Sequence, residues 1–130
     1  MITFIKIKPK PAPRPRVTKN GTYNNADYTT YKSVIAHTFK SIHGNKKSTN
    51  PIAMKIDFFF EIPKSWSKRK KESASWHISR PDTDNLVKGV KDALNGIAYK
   101  DDSQVCYLQA RKQYAQFSGI RIEIEEMKDG

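Results

Sequence analysis

The chain has one cysteine, Cys106, and no apolar run long enough to cross a bilayer. A single thiol excludes an intramolecular disulfide framework and a cysteine-rich zinc site, and it suits a reducing compartment. The opening stretch places Ile5 and Ile7 beside Lys6 and Lys8, too short and too charged for a signal peptide or a span. The expected location is the cytoplasm, with no membrane partner. A glycine-rich phosphate loop of the Walker type is missing, and His37, His43 and His77 are scattered without metal-ligand spacing. A nucleotide cofactor and a serine-histidine-aspartate nucleophile are thereby disfavoured.

Acidic residues are also scarce. Against 24 Lys and Arg stand 13 Asp and Glu in 130 residues, a net charge of +11. Such an excess favours a polyanionic partner through phosphate neutralisation and counterion release, with nucleic acid the leading class. The same balance fits a ribosomal-type RNA binder or a merely basic protein, because charge speaks to association and not to chemistry. Its distribution says more: residues 1–80 carry +13 and residues 81–130 carry −2. Asp82, Asp84, Asp92, Asp101 and Asp102 crowd into one short stretch. A DNA-binding surface would not hold them there unless a cation intervenes.

The length suits one domain, residues 1–130. Residues 2–8 mix β-branched and aromatic side chains with lysines and read as a strand that stops at Pro9. Pro9, Pro11, Pro13 and Pro15 then alternate with Lys10, Arg14 and Arg16, which predicts an extended basic arm over 9–26, neither helix nor interior strand. Composition alone leans to a solvated linker there. Tyr28, Tyr31, Ile35, Phe39 and Ile42 recur at helical spacing until Gly44 and Asn45. Residues 52–60 alternate in strand period, as a central strand would. The stretch 63–81 has no clear period and reads as a basic flexible loop with room for one helical turn, carrying Trp66, Lys68, Arg69, Lys70, Trp76 and Arg80. Its rings could stack on exposed bases or pack on the core, and composition does not separate the two. Leu86, Val90, Ala93, Leu94 and Ile97 mark a second helix closed by Asn95 and Gly96. Two strands end the chain, over 105–114 and 120–125, with Ser118 and Gly119 as the turn. The order β-α-β-α-β-β predicts an α+β domain, a mixed sheet of about four strands with two main helices on one face.

The chemistry concentrates around the second helix. Asp82 and Asp84 bracket its start, where a carboxylate ordinarily caps free amides and answers the helix dipole. Capping is the commoner job for a lone Asp-x-Asp, yet one cap needs one carboxylate, and two in proximity repel unless a cation lies between them. Asp101 and Asp102 add two more after the chain has turned back, where a plain surface turn is the simplest reading of that pair alone. The hypothesis is that Asp82, Asp84 and at least one of Asp101 and Asp102 converge on Mg²⁺, a hard ion that takes carboxylate and water oxygens. Lys88 follows Asp84 by four residues and shares its face, either as a surface ion pair or as an ammonium beside the metal.

The run Arg80-Pro-Asp-Thr-Asp-Asn-Leu-Val-Lys-Gly-Val-Lys-Asp-Ala-Leu-Asn-Gly, followed by Tyr99-Lys-Asp-Asp-Ser-Gln-Val, resembles the signature of RusA-type Holliday junction resolvases. Pro11-Ala-Pro-Arg-Pro-Arg-Val and Pro63-Lys-Ser-Trp-Ser-Lys are similar to further features of that family. The resemblance implies a homodimeric endodeoxyribonuclease from a bacterium, phage or prophage that nicks four-way junctions symmetrically in recombination and repair, using Mg²⁺ or Mn²⁺. It aligns Asp82 and Asp84 with the first two catalytic aspartates, Lys88 with the catalytic lysine and Asp102 with the third aspartate, leaving Asp101 as its neighbour. Arg14, Arg16, Lys68, Arg69, Lys70 and Arg80 would contact DNA phosphates. The competing expectations are a non-catalytic nucleic-acid binder, in which the acids are caps and turn residues, and a related nuclease acting on forks, flaps or RNA.

Overall fold

A computed structural model describes residues 1–13, 17–18, 21–22 and 26–128. The elements run β1 (Ile2–Ile5), β2 (Val17–Thr18), β3 (Gly21–Thr22), α1 (Ala26–His43), β4 (Ile52–Glu61), α2 (Lys68–Glu72), α3 (Thr83–Leu94), a 3-10 turn (Asp102–Gln104), β5 (Val105–Ala115) and β6 (Gly119–Glu126). Among the described residues no helix is long and apolar enough to cross a membrane.

The sheet has the order β1-β6-β4-β5. β4 is central, antiparallel to β6 and parallel to β5. Strand alternation sends Ile52, Met54, Ile56, Phe58 and Phe60 to one face, where Ile120, Ile122 and Ile124 of β6 join them. Tyr31, Ile35 and Phe39 of α1 and Leu86, Val90 and Leu94 of α3 complete this core. The helices need that apolar face, since neither stripe can be buried against water. Gly89 lets them approach: a Cβ there would stand 3.3 Å from the Tyr28 hydroxyl and 3.6 Å from the Tyr31 ring.

The architecture is the expected α+β domain with a mixed four-stranded sheet; β1 ends at Ile5, short of the expected residue 8, and further details differ. The segment read as an extended arm contains the short antiparallel ribbon of β2 and β3. The helical turn allowed for within the basic loop forms as α2, whose start is capped by Ser67 accepting from the Lys70 amide at 3.2 Å. The last two strands do not pair as a hairpin. Their connection arches over the end of β4, where the Glu61 amide donates to Ser118 Oγ at 3.1 Å and the Ile62 amide to the Ala115 carbonyl at 3.0 Å. β5 and β6 therefore flank β4 on opposite sides.

On the opposite face of the sheet Asp57 is buried, though charged. Both neighbouring strands place an arginine beside it in register, Arg111 at 2.7 Å and Arg121 at 3.7 Å. A buried carboxylate needs such partners to avoid an uncompensated charge.

Candidate active site

The parallel strands β4 and β5 both point their carboxyl ends at the start of α3. What lies between is the segment 75–81, laid along the free edge of β5. The Tyr114 amide donates to the Ser75 carbonyl at 2.7 Å, and the His77 amide to the Lys112 carbonyl at 3.1 Å. Lys112 then reaches across: its Nζ donates to the carbonyls of Ser79 and Pro81, both at 2.7 Å. Those are charge-assisted bonds, stronger than neutral ones. They fix the chain immediately before Asp82. Nothing local in the sequence announces this clamp, because Lys112 is far from Pro81 along the chain and only the strand register brings them together.

Asp82 occupies the N-cap of α3 in extended conformation, and its carbonyl accepts from the Leu86 amide at 3.2 Å. Its carboxylate makes no capping hydrogen bond. The ordinary structural job of an aspartate at this position is therefore left undone by the side chain, which is exposed. Asp84 lies in the first turn, also exposed, so two carboxylates stand uncommitted at the positive end of the helix. Lys88 follows one turn later, exposed and making no ion pair with Asp84. The bland reading of that spacing is thus unsupported.

The adjacent acids after α3 divide in role. Asp101 caps the 3-10 turn, its Oδ2 accepting from the Ser103 amide at 3.0 Å while its own amide donates to Gln104 Oε1 at 2.9 Å. Hydrogen bonding from Ser103, side chain first and amide second, holds the Asp101 carboxyl below the usual range. Gln104 is anchored in turn, its Nε2 donating to the carbonyls of Ser48 at 2.8 Å and Asn50 at 2.9 Å. Asp102 has no such commitment. Its position is marked by the buried Tyr99, whose hydroxyl donates to the Lys91 carbonyl at 2.7 Å. Burial, reinforced by Asp102, Asp92 and Asp101 in that order, raises that phenol well above its ordinary pKa. Asp82 and Asp84 thus stand at the start of α3, and Asp102 follows that helix in the 3-10 turn. Among the described residues no three His, Cys, Asp or Glu side chains are grouped as a metal site.

Beside Asp82 opens a cavity of about 940 Å³. Phe60, His77 and Tyr114 form its aromatic wall, His77 stacked on Phe60 at 3.9 Å and tilted against Tyr114 at 5.0 Å. Lys8, Lys10 and Arg80 add positive charge, and Asp82 and Asn85 of the α3 start close it. Of this lining the sequence singles out Asp82 as a metal ligand and Arg80 as a DNA contact, and it gives no role to Phe60, His77, Asn85 or Tyr114. His77 is 9% exposed and its Nδ1 has no hydrogen-bond partner. Burial, and secondarily Lys112, lowers its pKa and favours the neutral ring.

Lys68, Arg69 and Lys70 are exposed on α2, with Lys70 Nζ 4.2 Å from the centre of the Trp66 ring. Trp66 packs edge-on against Tyr114 at 4.9 Å, whereas Trp76 is 58% exposed, so the two tryptophans take different roles. Arg14 and Arg16 lie outside the described residues.

A profile of the family described as Endodeoxyribonuclease RusA matches residues 6–125. The chain is 45% identical over 85 residues to "Uncharacterized protein YqaN" of Bacillus subtilis (strain 168), covering 61% of this chain and 60% of that protein. It is 38% identical over 78 residues to "Crossover junction endodeoxyribonuclease rusA" of Lactococcus phage r1t, covering 59% of this chain and 56% of that one. The chain thus spans somewhat more than half the length of the curated relatives it matches.

Proposed function

This chain belongs to the Endodeoxyribonuclease RusA family, and from that premise we propose that it is a divalent-metal-dependent endonuclease that resolves four-way DNA junctions by paired nicks. The observation that carries the reading is the carboxylate of Asp82, left free at a helix start where capping would otherwise engage it.

The donors suit magnesium. All are carboxylate oxygens, and Mg²⁺ is usually held by one or two protein carboxylates, with water and substrate phosphate completing its shell. Asp82 and Asp84 supply that number, and Asp102 is the third ligand of the reading. Asp101, tied to Ser103, is the less available of the two neighbours. When bound, Mg²⁺ or Mn²⁺ polarises the scissile phosphate and lowers the pKa of the attacking water.

The chain's own groups do the rest. Lys112 fixes the backbone before Asp82, so the carboxylate meets substrate from a set position. Lys88, unpaired, offers its ammonium to the charge that develops on the phosphate and leaving oxygen. Lys8, Lys10 and Arg80 neutralise phosphates beside the cut, and Lys68, Arg69 and Lys70 serve a neighbouring arm. A homodimer presents two equivalent sites to the two equivalent phosphates of a symmetric junction.

One observation favours a second reading, a non-catalytic nucleic-acid binder: among the described residues the acids are not grouped three together. The readings part on a cleavage panel of four-way junction, fork, flap, duplex and RNA substrates, with Mg²⁺ and with EDTA. The nuclease reading requires Mg²⁺-dependent paired nicks in the junction. Binding without nicking of any substrate would establish the alternative, and preferential cutting of fork, flap or RNA would move the substrate assignment.

A further inference from the structure

The cavity beside Asp82 has a shape and lining that the metal chemistry does not use. Ligand pockets run to roughly 300–1,000 Å³, so its volume of about 940 Å³ leaves space for a nucleotide with adjoining backbone. One wall is aromatic, through Phe60, His77 and Tyr114, and the lining carries Lys8, Lys10 and Arg80 against Glu61 and Asp82, an excess of one positive charge. A ligand matched to both has a flat π surface joined to an anionic group.

Prolines also shape the walls, Pro9, Pro11, Pro63 and Pro81. Each lacks an amide donor and has a fixed φ, so this part of the wall is stiff and offers no donor that would compete for solvent. His77 is nine-tenths buried, and its Nδ1 is unpartnered and closed to solvent, so a base edge meets this nitrogen only when the ring turns toward the cavity. The location fits as well, since ligands of parallel strands gather beyond their carboxyl ends.

We propose that this cavity receives a single unpaired nucleobase of the DNA, the one flanking the phosphate that lies against Asp82. The proposal rests on the nuclease reading and adds a source of cutting-site preference to it. A paired base inside a duplex cannot enter a one-sided pocket. A branch point, where pairing is interrupted, supplies a base at least cost. The half-buried ring of Tyr114 stacks on the base, the His77 nitrogen meets its edge, and Lys8, Lys10 and Arg80 hold the adjoining phosphates.

The test uses four-way junctions in which one nucleotide at a time on either side of the cut is made abasic, leaving the backbone whole. At one position, loss of the base should slow wild-type cutting by about tenfold or more, the scale of losing one base-aromatic stack. Tyr114→Leu should slow cutting of the intact junction by a similar factor, and the abasic change should then add little, as for two halves of one contact. His77→Phe keeps a ring and removes the nitrogen, so it should narrow the spread of rates among the four bases at that position. It guards against a Tyr114 variant that fails to fold. Indifference to base removal at every position, or effects that simply multiply, would overturn the proposal while leaving the nuclease reading intact. Wild-type protein that cuts none of the intact junctions would refute both.

Discussion

Replacing Lys112 with methionine keeps the aliphatic stem and removes the ammonium that bonds the carbonyls of Ser79 and Pro81, both at 2.7 Å. A hydrogen bond to a charged group contributes about 1.5–3 kcal/mol, and solvent takes back part of that for a half-buried lysine, so the pair should be worth about 2 kcal/mol in total. For a chain of this length each kcal/mol lowers Tm by roughly 3–5 °C, which gives an expected drop of about 6–10 °C. The larger effect should fall on activity. A displacement of about 1 Å in a reacting group costs on the order of a hundredfold, so kcat on a four-way junction should fall about 10- to 100-fold. The Mg²⁺ concentration for half-maximal cutting should rise, because Asp82 is no longer held, while junction affinity in Ca²⁺ stays within about threefold. Ile35→Val, a core change in α1, is the control: it should lower Tm with cutting and Mg²⁺ dependence unmoved. A Lys112→Met protein that loses stability yet keeps its kcat and Mg²⁺ dependence would show that the clamp only stabilises the fold.

Three further outcomes are expected. Asp102→Asn should abolish cutting with little change in Tm, and Asp101→Asn should lower Tm through the weakened cap while retaining most activity; the reverse pattern would exchange their roles. His77 has a folded pKa below its ordinary 6.5, so the fold excludes its proton; the stability this supplies is complete above pH 6.5 and is lost as pH falls through the depressed value. Thermal melts should show Tm falling on acidification below that point more steeply in wild type than in His77→Phe, and parallel pH curves would remove His77 as the cause. Changing Lys68, Arg69 and Lys70 together to alanine should reduce the slope of log affinity against log salt by about 2–3, at ~0.9 per lost phosphate contact on duplex arms. An unchanged slope would take α2 off the DNA path.

The elements that read clearly from sequence are those whose period matches one buried face. The alternation of Ile52 through Phe60 and the stripe from Leu86 to Ile97 each point to one core; β4 forms where its pattern places it, and α3 ends at Leu94, before Ile97. The turn residue Gly96 adopts φ +79°, as a helix terminator should. The partner of each strand was hidden, because pairing is a property of the sheet: Ser118 and Gly119 read as a turn, and only their arch over β4 separates β5 from β6. At the candidate site the acids were legible as types in a pattern. Which of the adjacent Asp101 and Asp102 is committed to the backbone was not, since both positions suit a capping residue. The cavity was least visible, assembled from Lys8, Phe60, His77, Asp82 and Tyr114, which come from distant stretches of the chain.

The most direct test is cutting of a synthetic four-way junction by wild type and by Asp82→Asn across a Mg²⁺ titration, with binding followed in parallel by anisotropy. The carboxylate at the start of α3 should be indispensable: wild type gives paired nicks that vanish in EDTA, and Asp82→Asn binds the junction with similar affinity and does not cut at any Mg²⁺ concentration. An Asp82→Asn protein that nicks the junction at the wild-type rate would contradict the metal site assigned to this helix.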